Sequence, residues 1–300
     1  MKPRSLSIQK TLQNFCFGSL FSAVIYPVIG IALLVTMILI ATFVRTVDLN
    51  WGYLFWGLMT VVLTIFVCNA GIGPLHRIMQ HKAGVMKAPA QIITMINLMI
   101  AMQGTVREWV NYHSQHHRFA DKPGDPHNPE EGKVWAWVGW IIWRDKNDTK
   151  RPMALWLRSH PIIVWMDRFY HHISIGLHAG VPAVIYLIVW LAGGSLVFTA
   201  FLHGCFMIGR AIQFHATVYG INVLGHLKTP KWLDYCVAIL TGGEAFHDHH
   251  HDEPQSALHL PKKGFWNRLF DYNGTLLLIY QKLGWAKELK IAPRFITVEK

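Results

Sequence analysis

Long runs without a single charged side chain alternate with polar, histidine-bearing segments along this chain. Residues 21–44 contain no Asp, Glu, Lys or Arg. As a helix this run reaches about 36 Å, enough to cross a hydrocarbon core of about 30 Å. A second uncharged run covers 50–74. The stretch between Arg168 and Arg210 is long enough for two crossings, and Gly193-Gly194-Ser195 marks a turn that divides it. Four transmembrane helices are therefore expected, near 21–44, 50–74, 173–192 and 195–215. Buried helices of a soluble core are the weaker alternative, because charge-free runs of this length rarely occur there. Residues 91–104 are also uncharged but too short to span, so this segment is expected to lie at the interface or to re-enter, with its Met and Leu side chains in the core.

Composition supports the membrane reading. Only 15% of the 300 residues are charged and 52% are hydrophobic, whereas a soluble domain carries roughly 25% charged residues. Neither a linker nor an internal repeat divides the chain, so 1–300 reads as one domain. With four spans, the tail 1–20, the loop 76–172 and the segment 220–300 share one face. Of the 28 Lys and Arg residues 26 lie there, leaving Arg45 on the other side and Arg210 inside the fourth span. Basic residues stay cytoplasmic in short loops, so both termini and a helical cap built from 76–172 and 220–300 are expected in the cytoplasm. The same bias accounts for the net charge of +11, and no nucleic-acid motif accompanies it, so membrane lipids are expected partners and nucleic acid is not. The first span reads as a retained anchor rather than a cleaved signal. Cys16, Cys68, Cys205 and Cys236 are far apart and read as buried thiols, not ligands or disulfides.

The 18 histidines outnumber the 17 acidic residues, and they bunch. "HRIMQH" (76–81), "HSQHH" (113–117) and "HDHHH" (247–251) all follow apolar segments on the expected cytoplasmic face. On a helix, His113, His116 and His117 fall at i, i+3 and i+4, and His247, His250 and His251 repeat that spacing with His249 pointing elsewhere. Neutral imidazoles arranged in this way can bind Fe, Zn, Cu or Ni. His76 and His81 are about 140° apart on a regular helix. Either the helix ends or bulges near Met79, or each histidine serves a different metal of a two-metal site. Asn222 and His226 follow the fourth span at i, i+4 and join the set. Nine histidines and an amide exceed a four-ligand zinc site and suit two ions with open positions.

This pattern resembles the membrane-bound fatty acyl desaturase family, whose HxxxxH, HxxHH and HxxHH boxes surround a di-iron centre, with an asparagine and a histidine after the last span. The similarity extends through "REWVNYHSQHHRFADKPGDPHNPEEG" and "GGEAFHDHHHDEPQSA" and covers roughly residues 50–285. The resemblance implies that His76, His81, His113, His116, His117, His226, His247, His250 and His251 ligate iron, with Asn222 bound directly or through water. It implies an all-α integral membrane fold of four transmembrane helices under a cytosolic helical cap that carries the di-metal site. It also implies two Fe, as Fe2+ in the reduced resting form, with dioxygen as co-substrate. The substrate would be a saturated fatty acyl chain, linked to CoA or to a lipid, for which the Δ9 position is one expectation. "HRIMQHK", Asn111 and "AWVGW" depart from the acyl-CoA members' usual "HRLWSHR", arginine and "SHxGW". That departure leaves the metal site intact and removes the sequence support for CoA recognition.

Metal-bound imidazoles need partners for their second N–H, and Glu108, Asp125, Glu244 and Asp252 are the nearby candidates. Glu244 lies three residues before His247 and could share its helix face. Trp109, one turn before His113, could shape an acyl slot, and Arg144 could meet the carrier's phosphates or lipid head groups. Trp135, Trp137, Trp140 and Trp143 read as an interfacial belt. Arg210, Gln213 and His215 should either border the cavity or snorkel. No haem, flavin or cysteine-cluster motif is present, so electrons are expected from a separate ferredoxin-type or cytochrome-type donor. Two alternatives remain: a hydroxylase or carotenoid ketolase of the same di-iron type, and a non-catalytic membrane metal-binding protein.

Overall fold

The computed structural model describes residues 15–43, 51–143, 155–227 and 229–296. In chain order its main elements are α1 (Phe17–Phe43), α2 (Trp51–Gln80), the short strand β1 (Val85–Met86), α3 (Ala88–Ala101), α4 (Val106–Phe119), α5 (residues 135–142), α6 (Pro161–Arg168), α7 (Tyr170–Leu191), α8 (Leu196–His226), α9 (Lys231–Thr241), α10 (His247–Asp252), α11 (Phe265–Phe270), α12 (Tyr272–Lys282) and β2 (Ala286–Lys287). The two strands pair antiparallel, Val85 with Lys287 and Met86 with Ala286, and tie the segment after α2 to the end of the chain.

Among the described residues α1, α2, α7 and α8 are long and apolar enough to cross a membrane. Each contains most of one span read from the sequence, and α2 and α8 run further, to Gln80 and His226. These two extensions hold histidines of the first box and of the region after the last span. Val28, Ile31 and Leu39 on α1, with Val184, Leu187 and Ile188 on α7, face outwards. In a bilayer acyl tails cover such a surface, and satisfaction of every backbone group within the helix makes the span possible.

The short apolar segment forms α3, which is buried against α2. Gly71 permits this: a Cβ there would collide with the backbone of Asn97 and Leu98. Met95, Leu98 and Met99 join Ile72 and Leu75 of α2, Val110 of α4 and Leu277 of α12 in one core. The last carbonyls of α3 have no intrahelical partners, and three different spans supply them. His178 on α7 lies 3.1 Å from the Ile100 oxygen, Arg210 on α8 donates to Ala101 at 3.1 Å, and Ser22 on α1 donates to Met102 at 2.9 Å.

Arg210 thus faces protein instead of snorkelling, with its guanidinium also bonded to Ser22 and 4.8 Å from the Phe214 ring centre. Gln213 donates to Asn69 at 2.8 Å, and His215 meets the Ala23 carbonyl at 3.0 Å. Three of the four tryptophans read as an interfacial belt also have partners within the protein, and all four are half-buried. Trp135 donates to the Pro126 carbonyl, Trp137 to His215, and Trp140 packs 5.2 Å from His127. The expectation of buried thiols is borne out for Cys68 and Cys205 and corrected for half-buried Cys16 and exposed Cys236.

Candidate metal centre

Four segments meet below the spans. The end of α2 brings His76 and His81. Its last turn, Leu75–Gln80, is a π-helix in which His81 donates its backbone N–H to the His76 carbonyl at 3.2 Å. An i→i+5 bond stacks residues five apart, so the bulge resolves the first box: both histidines fall on one side. A capping box opens α4, with the Glu108 N–H donating to Thr105 Oγ1 at 3.2 Å, and the helix carries His113, His116 and His117. The α8 run ends on a 3-10 turn, Leu224–His226, just after Asn222 closes the π-turn Ala216–Ile221. Between α9 and α10, Gly242 and Gly243 take positive φ values of 70° and 97°, the left-handed backbone that glycine adopts without strain. That tight turn delivers Glu244 and then His247, His250 and His251.

The nine histidines gather into two groups. His76, His81, His113, His117 and His250 form one, and His116, His226, His247 and His251 form the other, with one ligand-type atom per residue within 4.8 Å of the rest of its group. Each HxxHH box is divided between them. Its i, i+4 pair shares one group, and the residue at i+3 turns to the other.

Within the first group Nε2 atoms face one another: His76 to His250 at 3.1 Å, His250 to His117 at 3.0 Å, His117 to His113 at 2.9 Å and His113 to His81 at 3.0 Å. In the second, His247 lies 3.0 Å from His226 and 2.9 Å from His251, also Nε2 to Nε2. His116 Nε2 is buried with no protein partner, while its Nδ1 is bonded to Asp125 at 3.0 Å. Converging nitrogen lone pairs repel unless a cation stands between them. Where Nδ1 carries the proton, Nε2 presents such a pair, so both groups fit a borderline-soft divalent metal.

At six of these imidazoles protonation competes little with a metal. Burial pushes His81, His113, His247 and His250 well below the usual imidazole range, and neighbouring histidines add to it. Burial, then nearby histidines, takes His117 down to about 3 and His251 to about 4.

The partners of the outer nitrogens differ in part from expectation. Glu244 bonds His76 Nδ1 at 2.6 Å across the fold, rather than sharing a face with His247, because it sits on the turn before α10. Burial alone would raise this carboxyl, but Arg77, His76 and His259 hold it well below the usual carboxylate range. Arg77 is fully buried, 3.0 Å from Glu244 and 2.8 Å from Asp271. Asp125 holds His116, and hydrogen bonds to its carboxylate outweigh burial and lower it. Glu108 closes the capping box of α4, and Asp252 is an exposed partner of Arg294 at 3.4 Å, since both lie at helix ends turned from the centre.

Sequence reasoning missed Asp121, which lies 2.9 Å from His226 Nδ1, as well as His127, 4.3 Å ring to ring from His116, and His259, 5.4 Å from His250. Asp121 follows His117 by four residues, a helical spacing that could have flagged it; His259 gave no local signal. His249 points elsewhere, to the His259 carbonyl at 2.9 Å. Trp109 stacks on His113 at 4.7 Å and walls the five-histidine group. Arg144 lies outside the described residues.

No family model matches the chain. Among curated proteins it is similar to an "Acyl-CoA Delta-12 desaturase" of Tribolium castaneum, 26% identical over 258 residues that cover 80% of this chain and 68% of the relative. An "sn-1 stearoyl-lipid 9-desaturase" of Synechocystis is 25% identical over 245 residues, 79% of this chain and 73% of the relative. An "sn-2 palmitoyl-lipid 9-desaturase" of Nostoc is 29% identical over 234 residues, covering 73% and 75%.

Proposed function

We infer from this chain's place in the membrane-bound fatty acyl desaturase family that it is an oxidoreductase, a fatty acyl desaturase that introduces a double bond into a saturated chain. The observation that carries the reading is the division of nine imidazoles into groups of five and four. His76, His81, His113, His117 and His250 would hold one iron, and His116, His226, His247 and His251 the other. Asn222 would complete the second group directly or through water. When bound, the iron pair supplies, from dioxygen and two external electrons, the oxidising power that an unactivated methylene pair demands and no side chain can provide.

The chain's own residues bind, orient and exclude water. Glu244 accepts a hydrogen bond from His76 Nδ1–H, Asp125 from His116 and Asp121 from His226, which fixes each tautomer and aims Nε2 inward. Arg77 keeps Glu244 charged and in place, and Asp271 holds Arg77 from its other side. Trp109 covers one side of the five-histidine group with an apolar ring, which keeps bulk water from that face.

The cap and both termini are proposed to be cytoplasmic, on the distribution of Lys and Arg. A separate ferredoxin-type or cytochrome-type protein is proposed as donor. Relatives bearing acyl-CoA and acyl-lipid names flank the chain at similar identity, so both carriers remain within the reading. The test is expression in a desaturase-deficient host with gas chromatography of total lipids. A new monounsaturated chain is expected from the wild type and none from His116→Ala. A hydroxylated chain without a new alkene would replace desaturation by hydroxylation.

A further inference from the structure

A cleft of about 690 Å³ opens beside α9 and α10. His226, His247 and His251 of the four-histidine group line it, and none of the five histidines of the other group does. The cleft thus reaches the four-histidine group from its own side. Among the described residues the charged side chains on the cleft wall are Asp121, Asp234, Asp248 and Lys231, so acidic groups predominate there on a chain whose overall charge is +11. Asp121 links mouth and floor: its side chain is 48% exposed, yet its carboxylate lies 2.9 Å from His226 Nδ1.

We propose that this cleft is the port through which the four-histidine position takes up and releases its divalent cation, so that the two positions fill by separate routes. The inference rests on the two-metal reading of the site. Three features of the cleft support it. Its volume holds on the order of twenty waters at about 30 Å³ each, enough for a hydrated ion to enter before shedding its shell. Carboxylates lining a concave wall focus the field and raise the local concentration of cations. Asp234 and Asp248 stand near each other on this wall, where burial first and then the Asp248 carboxylate push Asp234 above its ordinary value. Asp121 then offers a partner already bonded to a floor imidazole, which shortens the step from water to nitrogen ligands.

The test uses the full-length, metal-free protein in detergent, with Co2+ as the probe and its absorption bands followed by rapid mixing. Two ions should bind in two kinetic phases. The double variant Asp234→Asn with Asp248→Asn should slow one phase about tenfold at low salt, and this difference should vanish at about 1 M salt, where the Debye length falls to about 3 Å. Thr229→Trp, which fills the mouth, should slow the same phase at any salt. Loading of both ions at wild-type rates in the double variant and in Thr229→Trp would overturn the port, with the two-ion stoichiometry intact. Fewer than two ions bound by the wild type would overturn the reading of the site itself.

Discussion

At the scale of single residues, the sequence disclosed the imidazoles and concealed most of what aims them. HxxHH is legible because helical spacing is local, whereas Asp271 and His259 reach the site from a segment far along the chain, and Arg77, though next to His76, acts on Glu244 across the fold. The outer carboxylates make separable predictions. Glu244→Gln should weaken metal binding at the five-histidine group about 10- to 100-fold and leave the other group nearly unchanged. Asp125→Asn should do the reverse through His116. Co2+ titration of each purified variant checks the pair, and equal weakening of both positions in both variants would contradict the assignment. The neutral imidazoles also fix a pH dependence. His117 and His251 titrate near 3 and 4 in the folded protein, below the ordinary value of about 6.5 in the unfolded chain. The unfolded state therefore takes up protons first. The stability of the metal-free protein should be greatest above about pH 6.5 and decline as pH falls through that value towards 4. Apparent melting temperatures between pH 7.5 and 4.5 provide the measurement, and a flat profile would contradict the buried, neutral state.

At the scale of elements, the π-turn Leu75–Gln80 decides whether the first box works as a unit. From the sequence an i, i+5 pair was ambiguous, because a backbone bulge leaves no side-chain signature. The structure selects the bulge, and with it a test. Insertion of one alanine after Gln80 should rotate His81 by about 100°, emptying the five-histidine position and leaving the four-histidine one filled. Deletion of Gln80 turns the pair into i, i+4 on an ordinary helix, whose residues share a face, so two ions should still bind. Metal content of both variants by elemental analysis settles it. The helix α3 shows the opposite kind of legibility. Its length excluded a span, yet nothing local indicated that Ser22, His178 and Arg210 would each cap one of its last carbonyls.

At the scale of the whole molecule, three long charge-free runs, the third divided at Gly193-Gly194-Ser195, were enough to give four membrane-length helices, since hydrophobic length is a one-dimensional property. The partition of nine histidines into two sets was not, because it depends on how the ends of α2 and α8 meet α4 and α10 in space. That partition is the centre of the account, and iron counting in protein purified without oxygen tests it most directly. The wild type should carry two irons per chain, while His81→Ala and His226→Ala, each striking a different group, should retain one. A single iron in the wild type, or loss of all iron in both variants, would contradict two separate metal positions.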